Sequence, residues 1–178
     1  IENQISSTEI LEVISNPSNV ITKVIIIEGW SKNQLKSELT KIFKNAYEIP
    51  YEDVIADTYY IDKNMSFKLF HQNLISIKNK YLKKFKDNNI YKSYTEEDIF
   101  IIGSLIEKEG LDNEDKKNIS SVIFNRLNRE MKLQIDATVL YALTDGQYNL
   151  KRKLLLKDLK VDHKYNTYKI KGLPPKPI

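Results

Sequence analysis

The 178-residue chain has no cysteine. That excludes disulfides, a thiol nucleophile and any Cys-ligated zinc or iron–sulfur centre. Only two histidines, His71 and His163, are present, too few for a His-rich metal site, and no metal or cofactor is expected. With 5 glycines and 5 prolines, collagen-like and low-complexity readings fail. None of the glycines stands in a phosphate-binding loop, a HExxH zinc motif or a Gly-x-Ser-x-Gly elbow. Long apolar runs are also missing. The best, Val24-Ile25-Ile26-Ile27, meets Glu28 at once, far short of the ~20 residues of a membrane span. What is abundant is Ile, Leu, Val, Tyr and Phe, enough for a real core. Charge is uneven: residues 1–57 carry 5 basic and 9 acidic groups, and the remainder 23 and 15. The basic excess suits nucleic acid, an anionic membrane surface or an anionic cell-wall glycan, but a solvated lysine surface explains it equally simply.

Periodicity divides the chain into elements. Ser7–Ser15 reads as a short helix with Ile10, Leu11 and Ile14 on one face, and Asn16-Pro17-Ser18-Asn19 as a turn. Thr22–Ile27 is β-branched and predicts a strand that Gly29 breaks. Ser31 caps a helix to about Asn45, with Leu35, Leu39 and Phe43 at four-residue spacing. Asp57–Ile61 predicts a second strand, and Ser66–Phe85 a long helix with Phe67, Phe70, Leu74, Ile77, Tyr81 and Phe85 inward. The lysines on its other face lack arginine forks or interleaved aromatics, so no nucleic-acid partner is expected. Thr95-Glu96-Glu97-Asp98 is a strong helix start, and the helix reaches Glu109 before Gly110. Being apolar nearly all round, it should be buried. Asp112 opens the next helix, with Ile119, Val122, Ile123 and Leu127 inward, to about Met131. Lys132–Ile135 looks extended, Asp136 caps a helix Ala137–Leu143, Leu154–Leu159 suggests a short helix, and Tyr165–Ile170 looks extended.

The residues that invite chemistry are Glu107-Lys108-Glu109 at the end of the greasy helix. At ~100° per residue the two acids point in nearly opposite directions. Apolar neighbours and the negative end of the helix dipole both favour a protonated carboxyl, which acid catalysis on a glycosidic oxygen requires. A solvated helix end with Lys108 as partner fits the same residues.

From Ile101 to Pro175 the chain resembles the YceG-like endolytic murein transglycosylases. The pieces are Ser104–Glu109, Ser121–Leu127, Met131–Gln134, Asp136 with Thr138-Val139, Tyr165–Tyr168 and Gly172–Pro175, in matching order and spacing. Glu28–Ser31 and Asp57–Tyr59 also look like that family. Ile27 and Ala137 stand where it usually has proline. The resemblance implies an α+β fold: a mainly helical catalytic domain with short strands over 46–178, C-terminally incomplete, preceded by part of a small LysM-like α/β subdomain over 1–45. It implies cleavage of the β-1,4 bond from N-acetylmuramic acid to N-acetylglucosamine, leaving a 1,6-anhydro sugar. The catalytic glutamate falls on Glu109. Asn125, Gln134, Asp136, Asn166 and Tyr168 become candidate substrate-binding residues. Four of them have a structural alternative: a helix–helix hydrogen bond for Asn125, a loop brace for Gln134, an N-cap for Asp136, and a buried, satisfied side chain for Tyr168. Trp30 suits a core anchor better than a glycan platform.

The implied partners are peptidoglycan strands and cell-wall synthases. The implied location is the bacterial inner membrane, with a single-pass anchor outside this chain and the catalytic part on the wall side. A non-enzymatic glycan-binding or scaffold module is the rival reading, and a basic nucleic-acid binder a third.

Overall fold

The computed structural model describes residues 6–15, 21–84, 86 and 89–178, without the side chains of residues 9, 13, 14 and 91. The turn expected at 16–19 and the inward Phe85 lie outside the described residues. Among these residues the fold is α+β: six α-helices and one two-stranded sheet.

After helix α1 (Ser7–Ser15), whose Ile10 and Leu11 are exposed, strand β1 (Ile21–Ile26) pairs antiparallel with β2 (Asp57–Asp62), Ile21 opposite Asp62 and Ile26 opposite Asp57. Side chains alternate across a pleat, so Val24, Ile26, Tyr59 and Ile61 face inward while Ile21, Ile25 and Tyr60 face out. Helix α2 (Lys32–Ile42) starts in a capping box, the Ser31 hydroxyl accepting from the Gln34 N–H and the Gln34 side chain from the Ser31 N–H. Helix α3 (Phe67–Lys83) starts at Ser66, which accepts from the Leu69 N–H. Leu35, Leu39, Phe43, Phe67, Phe70 and Leu74 close a first core under the sheet. Ile77 and Tyr81, expected inward, are 41% and 50% exposed. They stand beside the buried stripe of Phe67, Phe70, Leu74 and Leu82 and not on it.

Helix α4 (Glu96–Glu109) carries the expected capping box between Thr95 and Asp98. It packs against α5 (Asn113–Asn128), capped by Asp112, and α6 (Asp136–Thr144). Ile101, Ile102, Leu105, Ile123, Leu133, Tyr141 and Tyr165 form a second core. Several expectations are corrected here. Helix α4 is not buried all round, because Gly103 is exposed and lines a cleft with Ile27 and Trp30. Val122 on α5 is 52% exposed. Segments 132–135 and 165–170 form no strand, because each pairs with the other only at isolated points around Thr167. A 3-10 turn at Asp158–Lys160 stands where a short helix was expected.

Packing does not divide the chain at residue 45. The first core draws on Val24 and Leu39 before it and Tyr59 and Phe70 after it. Tyr51 packs against both cores. The Lys32 N–H donates to the Gly146 carbonyl at 2.9 Å, and Lys176 bridges Glu52 and Glu97 at 3.0 Å each, so polar ties also join the two halves.

Candidate active site

Helix α4 ends at Glu109 because Gly110 takes an extended conformation. A Cβ at Gly110 would collide with the Lys116 side chain of α5, so glycine is what lets the next helix pass this close. The side chain of Glu109 is exposed, not sunk among apolar groups as the sequence suggested. Its Oε1 accepts the Ala137 N–H at 3.1 Å. That donor sits in the first turn of α6, whose N–H groups have no partner inside the helix. Ile135 occupies the N-cap and has no side-chain acceptor, so Glu109 takes over a cap's role from another helix. The positive end of α6 and the negative end of α4 therefore meet at this carboxylate.

Asp136 is consequently not the N-cap expected of it. It is the first residue inside α6, and its Oδ1 accepts the Tyr168 hydroxyl at 2.6 Å. This bond to the carboxylate is the main reason the Tyr168 phenol is pushed up to about 12, with burial, Asp136 and Glu109 adding and Arg126 opposing. Tyr168 thus stays a neutral donor beside Glu109 across the ordinary pH range. Gln134 is exposed with a left-handed backbone (φ 54°), and its Oε1 lies 3.4 Å from Arg126 Nη1. Arg126 also donates to the Leu133 carbonyl, clamping the loop that enters α6.

Four of the six expected site residues, Glu109, Gln134, Asp136 and Tyr168, thus converge on the start of α6. Asn125 is exposed on α5, next to Arg126, and no hydrogen bond among the described residues links its side chain to the others. Asn166 corrects the expectation of a sugar contact. It is wholly buried: its amide donates to the carbonyls of Leu159 and Val161 at 3.1 and 2.7 Å, and its Oδ1 accepts the Tyr168 N–H at 3.0 Å. It holds Tyr168 in place from behind. Trp30 is partly buried against the first core, as expected of an anchor.

Beneath the cluster lies a polar brace that sequence reasoning passed over. Thr138 and Thr167 are wholly buried, with their hydroxyls 2.8 Å apart. Thr167 Oγ1 accepts the Ile135 N–H at 2.9 Å, and the Thr138 hydroxyl donates to the Ile135 carbonyl at 2.6 Å. Both threonines lay inside quoted motifs, and two small hydroxyls amid apolar positions were the available signal. Arg126 was likewise visible only as part of a motif.

Glu107 points elsewhere. Its Oε2 pairs with Lys116 Nζ at 2.7 Å. Lys108 reaches back to donate to the Gly29 carbonyl at 2.9 Å. Among the described residues no group of acidic and histidine side chains is arranged to hold a metal ion, and no helix is long and apolar enough to cross a membrane.

The YceG-like family model matches residues 1–178. An endolytic murein transglycosylase of Bacillus subtilis (strain 168) is 35% identical over 181 residues, covering 96% of this chain and 49% of the relative. One from Streptococcus pneumoniae serotype 2 (strain D39 / NCTC 7466) is 34% identical over 122 residues, covering 68% of this chain and 22% of the relative. The crystal structure of a yceG-like protein from Listeria monocytogenes matches with a TM-score of 0.73 at 28% identity, over 88% of this chain and 62% of that one. The chain thus spans about half the length of the Bacillus relative, and less of the streptococcal one. A match of the family model from end to end, with that fold and those relatives, means that the chain belongs to the YceG-like family.

Proposed function

We propose that this chain carries the catalytic part of an endolytic murein transglycosylase, with Glu109 as its acid–base group. The supporting observation is an exposed carboxylate fixed by the Ala137 N–H, with the Asp136–Tyr168 pair beside it. Glu109 donates its proton to the glycosidic oxygen between N-acetylmuramic acid and N-acetylglucosamine as the C1–O bond breaks. The resulting carboxylate then takes the proton of the muramic C6 hydroxyl, and O6 closes on C1 to give the 1,6-anhydro ring. Glutamate ends the cycle protonated and no water is consumed. One carboxyl serves both steps because an internal hydroxyl replaces the water that a second carboxylate activates in inverting glycosidases. The Asp136 carboxylate, beside the reacting centre, opposes the positive charge that builds at C1. Tyr168 holds that carboxylate in position.

Peptidoglycan as substrate, an envelope location with the catalytic part outside the inner membrane, a membrane anchor outside this chain, contact with cell-wall synthases and a LysM-like N-terminal part belong to the same proposal. The test is to incubate purified sacculi with the full-length protein and to analyse the products by mass spectrometry. New anhydro-muramic ends support the reading. Binding without release points to the glycan-binding alternative.

A further inference from the structure

A cleft of about 610 Å³ opens beside Ala137, the residue whose N–H holds Glu109. It runs from Asp136 and Ala137 past Tyr141 to the loop of Tyr148 and Lys153, with Lys108 in its wall. Tyr148 is 56% exposed there, an aromatic face on an open surface, the type of side chain that covers the apolar face of a sugar ring. The cations of this cleft differ in how they are matched. Arg152 is bidentate on Asp158, at 2.5 and 3.0 Å. Lys153 has no ion-pair partner among the described residues. Lys108 donates to a neutral carbonyl, and Glu107, the carboxylate that acts on it, is held by Lys116. Solvent reaches part of Lys108, yet the atoms crowding its ammonium pull it below its ordinary range, with Glu107 opposing. The one carboxylate lining the cleft, Asp136, already accepts from Tyr168. Among the described residues, two ammonium groups without a full counter-charge thus border a largely apolar cleft that adjoins Glu109 through Ala137.

We propose that this cleft is a subsite for a carboxylate-bearing muramyl residue, with Lys108 and Lys153 reading its negative charge and Tyr148 covering its ring. The proposal rests on the transglycosylase reading and names the part of the substrate the enzyme selects. The carboxylate has two possible sources, the lactyl group of a stripped muramyl unit or the peptide stem attached to it.

Binding separates them, and it does not depend on turnover. Full-length protein carrying Glu109→Gln, to prevent cleavage, is titrated by calorimetry with three tetrasaccharides: muramyl–glucosaminyl with peptide stems, the same after amidase removal of the stems, and neutral chitotetraose. At least one muramyl ligand should bind roughly ten-fold tighter than chitotetraose, as expected for a hydrogen bond between charged groups. If only the stem-bearing ligand shows the advantage, the stem is read; if the stripped one keeps it, the lactyl group is. Lys108→Met and Lys153→Met, which keep the apolar stem, should each remove most of that advantage and leave chitotetraose binding unchanged. Lys153 is exposed and makes no side-chain bond among the described residues, so its variant tests the site without risk to folding. Equal affinity for all three ligands, or an equal loss for all three in the Lys153 variant, would overturn the proposal. Sacculus digestion by the unsubstituted protein, run alongside, reports separately on the transglycosylase reading.

Discussion

The two cores of this chain are built from different materials. The first is apolar and aromatic: Phe43, Phe67 and Phe70 stack and tilt against one another with centroids 5.1 to 6.4 Å apart, and Tyr59 meets Phe70 edge-on. The second is threaded with buried polar groups. Thr138, Thr167 and Asn166 are wholly buried; the two threonine side chains hydrogen-bond to each other and to Ile135, and that of Asn166 to the carbonyls of Leu159 and Val161. Apolar burial is non-directional and tolerates small shifts. Hydrogen-bonded groups in a dry interior accept few geometries, because an unmatched one costs about 1–3 kcal/mol. The candidate site stands on the second core, where position is specified, and the first supplies bulk stability. Substitutions in each core therefore separate stability from geometry.

The largest effect expected is at Glu109. Glu109→Gln keeps an oxygen for the Ala137 N–H but cannot donate and then recover a proton, so the rate of anhydro-end formation should fall ~10²–10⁴-fold with no change in melting temperature. Glu109→Ala should lose as much activity and about 1 kcal/mol of stability as well, because α6 loses its borrowed cap. Equal stability of the two variants would show that the Ala137 contact holds nothing in place.

Phe70→Ala tests the other side of the comparison. The residue is 1% exposed among stacked rings, and removing it should cost about 3–5 kcal/mol, read by urea unfolding. At a temperature where the variant remains folded, its cleavage rate per folded molecule should match the parent, since no site residue belongs to that core. Thr167→Val makes the contrast. It leaves the buried Ile135 N–H without an acceptor, at about 1–3 kcal/mol, and should slow cleavage in the folded protein because the Gln134–Ala137 segment loses its brace. A slow Phe70 variant or a fully active Thr167 variant would erase the distinction drawn between the cores.

The difference also explains what could be read in the sequence. The first core is legible because it follows periodicity: Leu35, Leu39 and Phe43 at four-residue steps, the caps Ser31 and Ser66, and two β-branched or aromatic strands. The start of α4 at Thr95 and of α5 at Asp112 is legible for the same reason, since capping is local chemistry. The site was legible mainly through motifs, and four of its residues do meet. The roles of Asp136 and Asn166 were not, because both depend on contacts about 30 residues apart or on a loop packed against the backbone. Asp136 has the residue type of a cap, yet the chain enters α6 one residue earlier, at Ile135, and a distant glutamate supplies the acceptor. Asn166 reads as a polar loop residue, and only the folded loop shows its amide facing inward.

A smaller effect is expected from the loop that flanks the proposed muramyl subsite. Arg152, followed by the Leu155 N–H, holds the Asp158 carboxyl down to about 2, from an ordinary value of 3.8. Because the folded value is the lower one, the unfolded chain binds more protons between those two values. The contribution is therefore complete above about pH 4 and is lost as pH falls through about 2. Asp158→Asn keeps an acceptor for Leu155 but drops the charge. The stability gap between parent and variant, measured by urea unfolding at successive pH values, should be widest above pH 4 and close towards pH 2. A gap that stays constant would mean the ion pair does not stabilise the loop.

The smallest effect should come from the acid two residues before Glu109. Glu107 and Glu109 share a helix end, and sequence alone gives either a claim to the chemistry. The fold separates them: Glu109 turns to the first turn of α6, while Glu107 turns to α5 and pairs with Lys116 at 2.7 Å, about a third exposed. A partly exposed pair of this kind contributes about 0–1 kcal/mol. Glu107→Gln should therefore lower stability by no more than that and leave the rate of anhydro-end formation within about two-fold of the parent, in contrast to the ~10²–10⁴-fold loss at Glu109. Raising the ionic strength should narrow even the small stability difference, because salt screens the exposed pair. If Glu107→Gln abolished product formation while Glu109→Gln preserved it, the acid–base role would pass to the carboxylate facing α5. The Ala137 contact would then be a helix cap and nothing more.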